Sequence, residues 1–222
     1  MSQHETLMAR DGHTFGTYIA KPAGKPRGGV VIVQEIFGLS PHICRVADDY
    51  AQQGYLAVAP SLFDRVARGI VLGYSPPEVE QGLGYRKQIP TAKAVLDIAA
   101  AAAICRHAGK VAVIGFCWGG RLAWAAAAEV PLGAAVCYYG GGIPEELPKT
   151  PKCPTLLHFG ANDRSIPGSD IERLRQAYPA GIYEIYPAGH AFSNDDRPQN
   201  YDAASAALAR ERTSAFLAQN IG

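Results

Sequence analysis

The sequence predicts an α/β fold with a central, mainly parallel sheet flanked by helices. Three observations predict it. Short, β-branched apolar runs such as Val30 to Val33 and Val111 to Ile114 lack the polar alternation of a half-exposed strand. Segments with helical spacing separate them, and glycine or proline marks most of the joints. The balance is ordinary for a globular chain, with 48% hydrophobic and 18% charged residues in 222 positions. That length suffices for a single domain over 1–222 with a sizeable core.

The elements follow in order. Thr14 to Ala20 alternates weakly and reads as an edge strand. Gly28-Gly29 opens the buried run Val30 to Val33, which ends at Gln34-Glu35. Pro41 to Gln53 carries Ile43, Val46, Ala47 and Tyr50 on one helical face and stops at Gly54. Tyr55 to Ala59 is a buried strand closed by Pro60. Ser61 to Pro90, rich in glycine and proline, reads as a long irregular excursion with one short helix from Pro77. Thr91 is expected to cap a helix reaching about His107.

The second half is more regular. Strands are expected at Val111 to Ile114, Ala134 to Tyr138, Thr155 to Phe159 and Ile182 to Tyr186. Helices are expected at Trp118 to Ala128, Pro167 to Ala177 and Asp202 to Gln219; Asp170 near the start of the second suits the helix dipole.

Net charge is +1, so nothing marks a nucleic-acid or membrane-surface partner. The start, Met1 to Arg10, is polar and lacks the apolar core of a secretory signal. The longest apolar stretch, Ala94 to Cys105, is interrupted by Asp97 and reads as a core helix. The cysteines (Cys44, Cys105, Cys117, Cys137, Cys153) show no paired spacing, which argues against a disulfide framework or a zinc site. The expected setting is a reducing cytoplasm, the expected state a monomer or weak homo-oligomer, and the expected partner a small molecule.

The segment that carries chemistry is Val111-Ala-Val-Ile-Gly115-Phe-Cys117-Trp-Gly119-Gly120, followed by a helix. It is a strand, a sharp turn and a helix, with glycine two places before and two places after a central cysteine. This is the nucleophile elbow of the α/β-hydrolase fold, with Cys in place of the usual Ser. The turn crowds its neighbours, so glycine is needed on both sides. The helix N-terminus behind the sulfur favours negative charge there. The glycines do not match a dinucleotide loop.

A thiol nucleophile needs a base, and the base needs an orienting group. His190 follows the strand ending at Tyr186, and Asp163 follows the strand ending at Phe159. The order nucleophile, acid, His is that of the fold, and parallel strands bring all three residues to one sheet edge. Glu35 ends a strand on the same edge, and two readings stand for it: beside Cys117, acting on its protonation, or capping the next helix. The backbone N–H groups of Ile36 and Trp118 are the expected oxyanion donors. His158, inside a strand, reads as structural, and His42 as solvated. Cys44, Cys105, Cys137 and Cys153 read as packing residues. Trp118 and Trp124 either line a pocket or fill the core. For Tyr138, Tyr139 and Gly140 to Gly142 a plain loop is preferred to a role in lining the site.

Val33-Gln-Glu35-Ile-Phe-Gly38, Gly115-Phe-Cys117-Trp-Gly-Gly120, the Gly160 to Asp163 turn and Gly189-His190-Ala-Phe192 together resemble the dienelactone hydrolase family, the carboxymethylenebutenolidases. The resemblance implies Cys117 as nucleophile, His190 and Asp163 as its partners, and a contact between Glu35 and the resting thiol. It implies opening of a dienelactone to maleylacetate, a step of chlorocatechol breakdown, with no metal and no organic cofactor. It also implies two arginines that hold a substrate carboxylate. Arg65, Arg68 and Arg86 are the candidates in the middle segment, and Arg197 is the first arginine after His190.

Overall fold

The computed structural model describes residues 2–147 and 149–222; the expected span of 1–222 also includes residues 1 and 148, which lie outside them. In chain order come β1 (Ser2–Met8), β2 (Thr14–Ala20), β3 (Gly29–Val33), α1 (Pro41–Gln52), β4 (Leu56–Pro60), α2 (Pro76–Gln88) and α3 (Thr91–Cys105). There follow β5 (Val111–Phe116), α4 (Trp118–Glu129), β6 (Ala134–Tyr138), β7 (Thr155–Gly160), α5 (Gly168–Ala177), β8 (Ile182–Tyr186) and α6 (Ala203–Asn220).

The strands make one sheet in the order β1-β2-β4-β3-β5-β6-β7-β8. The pairs β1–β2 and β2–β4 are antiparallel, and every other pair is parallel. Helices α3 and α4 pack together on one face, while α1 and α6 lie on the other. Neighbouring residues of β6 show the division, because side chains alternate across a strand. Cys137 faces Trp124 on α4, and the Tyr138 hydroxyl donates to the Ala209 carbonyl on α6 at 3.1 Å. Cover on both faces explains why Val30 to Val33 are all apolar and all fully buried. Each such side chain contributes roughly 1.5–3 kcal/mol of burial free energy.

Four expectations are corrected. Thr14–Ala20 is not the edge, because Ser2–Met8 pairs with it from the outside. That strand is exposed along nearly its whole length, so backbone pairing holds it and no apolar alternation announces it. The excursion after Pro60 is more ordered than expected: a 3-10 turn at Leu62–Arg65 precedes α2, which has 13 residues. Pro76 and Pro77 start α2, and Glu78 accepts the Ser75 N–H at 3.1 Å. Thr91 is the first residue of α3 rather than its cap, and its hydroxyl turns to Glu146 at 3.2 Å. The strand expected at Tyr55 to Ala59 lies one residue later.

Register decides where the chemistry meets. Val33 pairs with Gly115, Phe116 with Tyr138, and Gly160 with Tyr186. The carboxyl ends of β3, β5, β6, β7 and β8 therefore finish level. Glu35, Cys117, Tyr139, Asp163 and His190 all follow them at one edge.

Candidate active site

Cys117 joins β5 to α4 with φ 55° and ψ −116°, a conformation that side chains rarely adopt. The glycines explain how the chain tolerates so tight a turn. A Cβ on Gly115 would lie 1.9 Å from the Gly119 carbonyl oxygen, and one on Gly119 would lie 2.3 Å from that of Val33. The Cys117 N–H donates to the Tyr138 carbonyl at 3.0 Å, which ties the elbow to the neighbouring strand.

The Cys117 sulfur lies 3.1 Å from His190 Nε2. On the far side of the ring, His190 Nδ1 lies 2.7 Å from Asp163 Oδ2. The Asp163 side chain is fully buried, and its other oxygen accepts the Ser165 N–H at 2.8 Å. Burial opposes a charge on His190, but the Cys117 sulfur and the Asp163 carboxylate outweigh it and push His190 up to about 10. Asn200 steadies the segment by donating to the His190 carbonyl at 3.1 Å.

Two backbone amides remain available. Trp118 is the first residue of α4, so its N–H has no carbonyl to reach within the helix. The Ile36 N–H, in the turn after β3, likewise makes no hydrogen bond within the described residues. Gly82 of α2 abuts that turn: a Cβ there would lie 2.1 Å from the Ile36 carbonyl oxygen.

Glu35 is 1% exposed, and it does not cap the next helix. Ser40 caps α1, accepting the Ile43 N–H at 3.4 Å. Glu35 Oε2 accepts instead from Asn194 Nδ2 at 2.6 Å, and Oε1 is buried without a partner. No hydrogen bond joins Glu35 to Cys117 among the described residues, which departs from the contact that the resemblance implies.

The four arginines divide. Arg65 is spent in an ion pair with Asp97 at 2.7 Å and a second with Asp11 at 3.1 Å. Arg68 donates to Thr14, the first residue of β2. Arg86 lines a recess of about 370 Å³ with Trp118 and Arg121. Arg197 lies over the rings of Phe37 and Tyr74, at 5.4 and 5.6 Å, and its Nε is buried with no partner.

Other side chains fall into place. His158 is structural: Nδ1 meets the Tyr186 hydroxyl at 2.8 Å and Nε2 the Thr213 hydroxyl at 2.9 Å, and burial pushes it down to about 3. His42 is not solvated but 4% exposed, with Nδ1 3.0 Å from Asp195. The five cysteines are free thiols, and burial pushes up those of Cys44, Cys105, Cys137 and Cys153. Trp124 fills the core, and Trp118 stacks on Phe63 at 5.7 Å.

Tyr139 belongs to the site rather than to a plain loop. Its ring centre is 5.2 Å from that of His190, and its hydroxyl is 2.9 Å from that of Ser193. Asn194 and Tyr74 were not singled out by the sequence. A polar residue after Phe192 reads as ordinary loop, and nothing local signals that Asn194 is fully buried.

The chain has relatives among known proteins. The model of the dienelactone hydrolase family matches residues 15–221. A carboxymethylenebutenolidase of Pseudomonas putida is 35% identical, the match covering 96% of this chain and 94% of the relative. Carboxymethylenebutenolidase 1 of Cupriavidus pinatubonensis is 31% identical across 98% and 97%. A crystal structure of a candidate dienelactone hydrolase from Klebsiella pneumoniae superposes with a TM-score of 0.82 at 33% identity, covering 99% of both chains. A dienelactone hydrolase-like promiscuous phosphotriesterase from metagenomic libraries gives the same TM-score at 22% identity and speaks for the fold alone.

Proposed function

This chain belongs to the dienelactone hydrolase family, a family of α/β-hydrolases acting on ester or lactone bonds, and on that premise we propose that it works through a Cys117–His190–Asp163 triad and a thioester intermediate. The observation that carries the reading is the unbroken run of contacts, 3.1 Å from sulfur to imidazole and 2.7 Å from imidazole to carboxylate.

Sγ attacks the carbonyl carbon and forms a C–S bond. The oxyanion that develops is met by the N–H groups of Ile36 and Trp118. The C–O bond to the leaving oxygen then breaks, and His190 supplies that oxygen with a proton. In a lactone the leaving group stays attached through the ring carbons. Water next attacks the thioester, His190 takes its proton, and the thiolate departs. Asp163 holds His190 in one tautomer and stabilises its charged form.

A thiolate is itself a good leaving group, so the reading favours substrates whose own leaving group is good, above all enol esters and lactones of the dienelactone type. Arg197 is the best placed of the arginines to receive a substrate carboxylate, since its guanidinium has no carboxylate partner among the described residues while Arg65 is paired twice.

Parallel rates on cis- and trans-dienelactone, p-nitrophenyl acetate and an acyl thioester test the reading. Activity highest on the lactones, and lost in Cys117→Ala with folding intact, is the expected result. Preference for the thioester would move the protein to another class of the same fold. Full activity in Cys117→Ala would overturn the mechanism.

A further inference from the structure

A cavity of about 220 Å³ opens between α1, α6 and the segment after Phe192. Phe116 and Tyr138 form part of its wall, their rings stacked at 4.8 Å, and none of Cys117, Asp163 and His190 lines it. Ser193 separates it from the triad. That residue lines the cavity, while its hydroxyl meets that of Tyr139 at 2.9 Å on the His190 side.

Two side chains of the wall are buried with polar atoms unmet. Tyr50 of α1 is 5% exposed, and its hydroxyl has no hydrogen-bond partner among the described residues. His42, earlier on α1, is 4% exposed, and its Nε2 likewise has none. Asp195, 3.0 Å from Nδ1, selects the tautomer with its proton there, which leaves Nε2 an acceptor. Buried polar groups are ordinarily paired, so both call for a partner from outside the chain.

A cation completes the set. Arg45 is committed to Asp195 and Asp196. Arg210 of α6 also lines the cavity, and among the described residues only Asp49 meets it in an ion pair, at 3.7 Å. Its charge reaches the hydroxyls of Tyr50 and Tyr138. The cavity thus offers a positive end, a hydroxyl, an acceptor nitrogen and a wall of flat rings. At roughly 30 Å³ for each water it has room for about seven, the space of one substituted ring rather than of a drug-sized molecule.

We propose that this cavity is a binding site for a small aromatic hydroxy acid. The carboxylate meets Arg210 and the Tyr50 hydroxyl, the ring lies against Phe116, and the ligand hydroxyl donates to His42 Nε2. The site and the triad share no residue, so one can fail while the other stands.

Isothermal titration calorimetry of the full chain tests it, with meta- and para-hydroxybenzoate as probes and benzoate and phenol as comparators. One of the probes should bind one to one with a Kd below about 1 mM, and each comparator, short of one polar group, about tenfold more weakly. Tyr50→Phe and Arg210→Gln should each weaken the better probe about tenfold. Cys117→Ala should bind it as the native protein does. Tyr50→Phe removes a hydroxyl that nothing in the fold uses, so its melting temperature without ligand should equal the native one. Absence of saturable binding would mean that the cavity holds water alone, and overturns the proposal. So does native affinity in either cavity variant, equal affinity for a comparator, loss of binding in Cys117→Ala, or a lower melting temperature in Tyr50→Phe.

Discussion

Asp163 grips His190 through Nδ1 at 2.7 Å, and that single contact aims the opposite nitrogen of the ring at the Cys117 sulfur. An imidazole has two tautomers and a free ring torsion. A fully buried carboxylate on Nδ1 selects one of each.

Asp163→Asn should therefore cost more than a charge. The amide can present its NH₂ to Nδ1 and select the wrong tautomer. We expect kcat to fall about 10²–10⁴-fold with a smaller change in KM. Steady-state kinetics check it. A loss below tenfold would remove Asp163 from the proton path.

The pH dependence follows from the same group. His190 is held at about 10 against an ordinary 6.5, so the folded state binds its proton more tightly than the unfolded chain does. The stability it contributes is complete below pH 6.5, declines above it, and is lost as pH rises through about 10. Thermal melts between those limits should fall more steeply with pH for the native protein than for His190→Gln. Parallel curves would mean that the proton is not held as the geometry implies.

His158 behaves in the opposite sense. Burial depresses it to about 3, and the neutral ring is fastened to Tyr186 and Thr213. The unfolded chain binds this proton more readily, so the contribution is full above pH 6.5 and is lost as pH falls toward 3. Urea melts at pH 7 and pH 4.5 should show a larger acid loss in the native protein than in His158→Gln. An unchanged difference would mean that His158 takes no part in acid sensitivity.

Gly82→Ala tests the wall behind the proposed oxyanion donors. In an open helix the change would stabilise by about 1 kcal/mol. Here the new Cβ would fall 2.1 Å from the Ile36 carbonyl oxygen. The turn bearing the Ile36 N–H must shift, and we expect kcat to drop about tenfold or more, with a lower melting temperature. A variant as stable and active as the native protein would show that the turn yields freely.

Much of this protein is written in local sequence, because its signals are local. Gly115-Phe-Cys117-Trp-Gly119 specifies a strand, a strained turn and a helix through the space its own glycines leave. The apolar runs of β3, β5, β6 and β7 declare burial on both faces. From these, the level strand ends that carry Cys117, Asp163 and His190 can be reasoned out. Tertiary structure alone decided the rest. Ser2–Met8 is a strand through its neighbour's hydrogen bonds, without a periodicity of its own. Arg65 is withdrawn from the site by Asp97, a residue on a separate helix. Glu35 meets Asn194 across 159 positions of chain. Residue type and spacing set which side chains reach a common edge, but which of them pair there depends on angles and distances accumulated through the whole packed sheet.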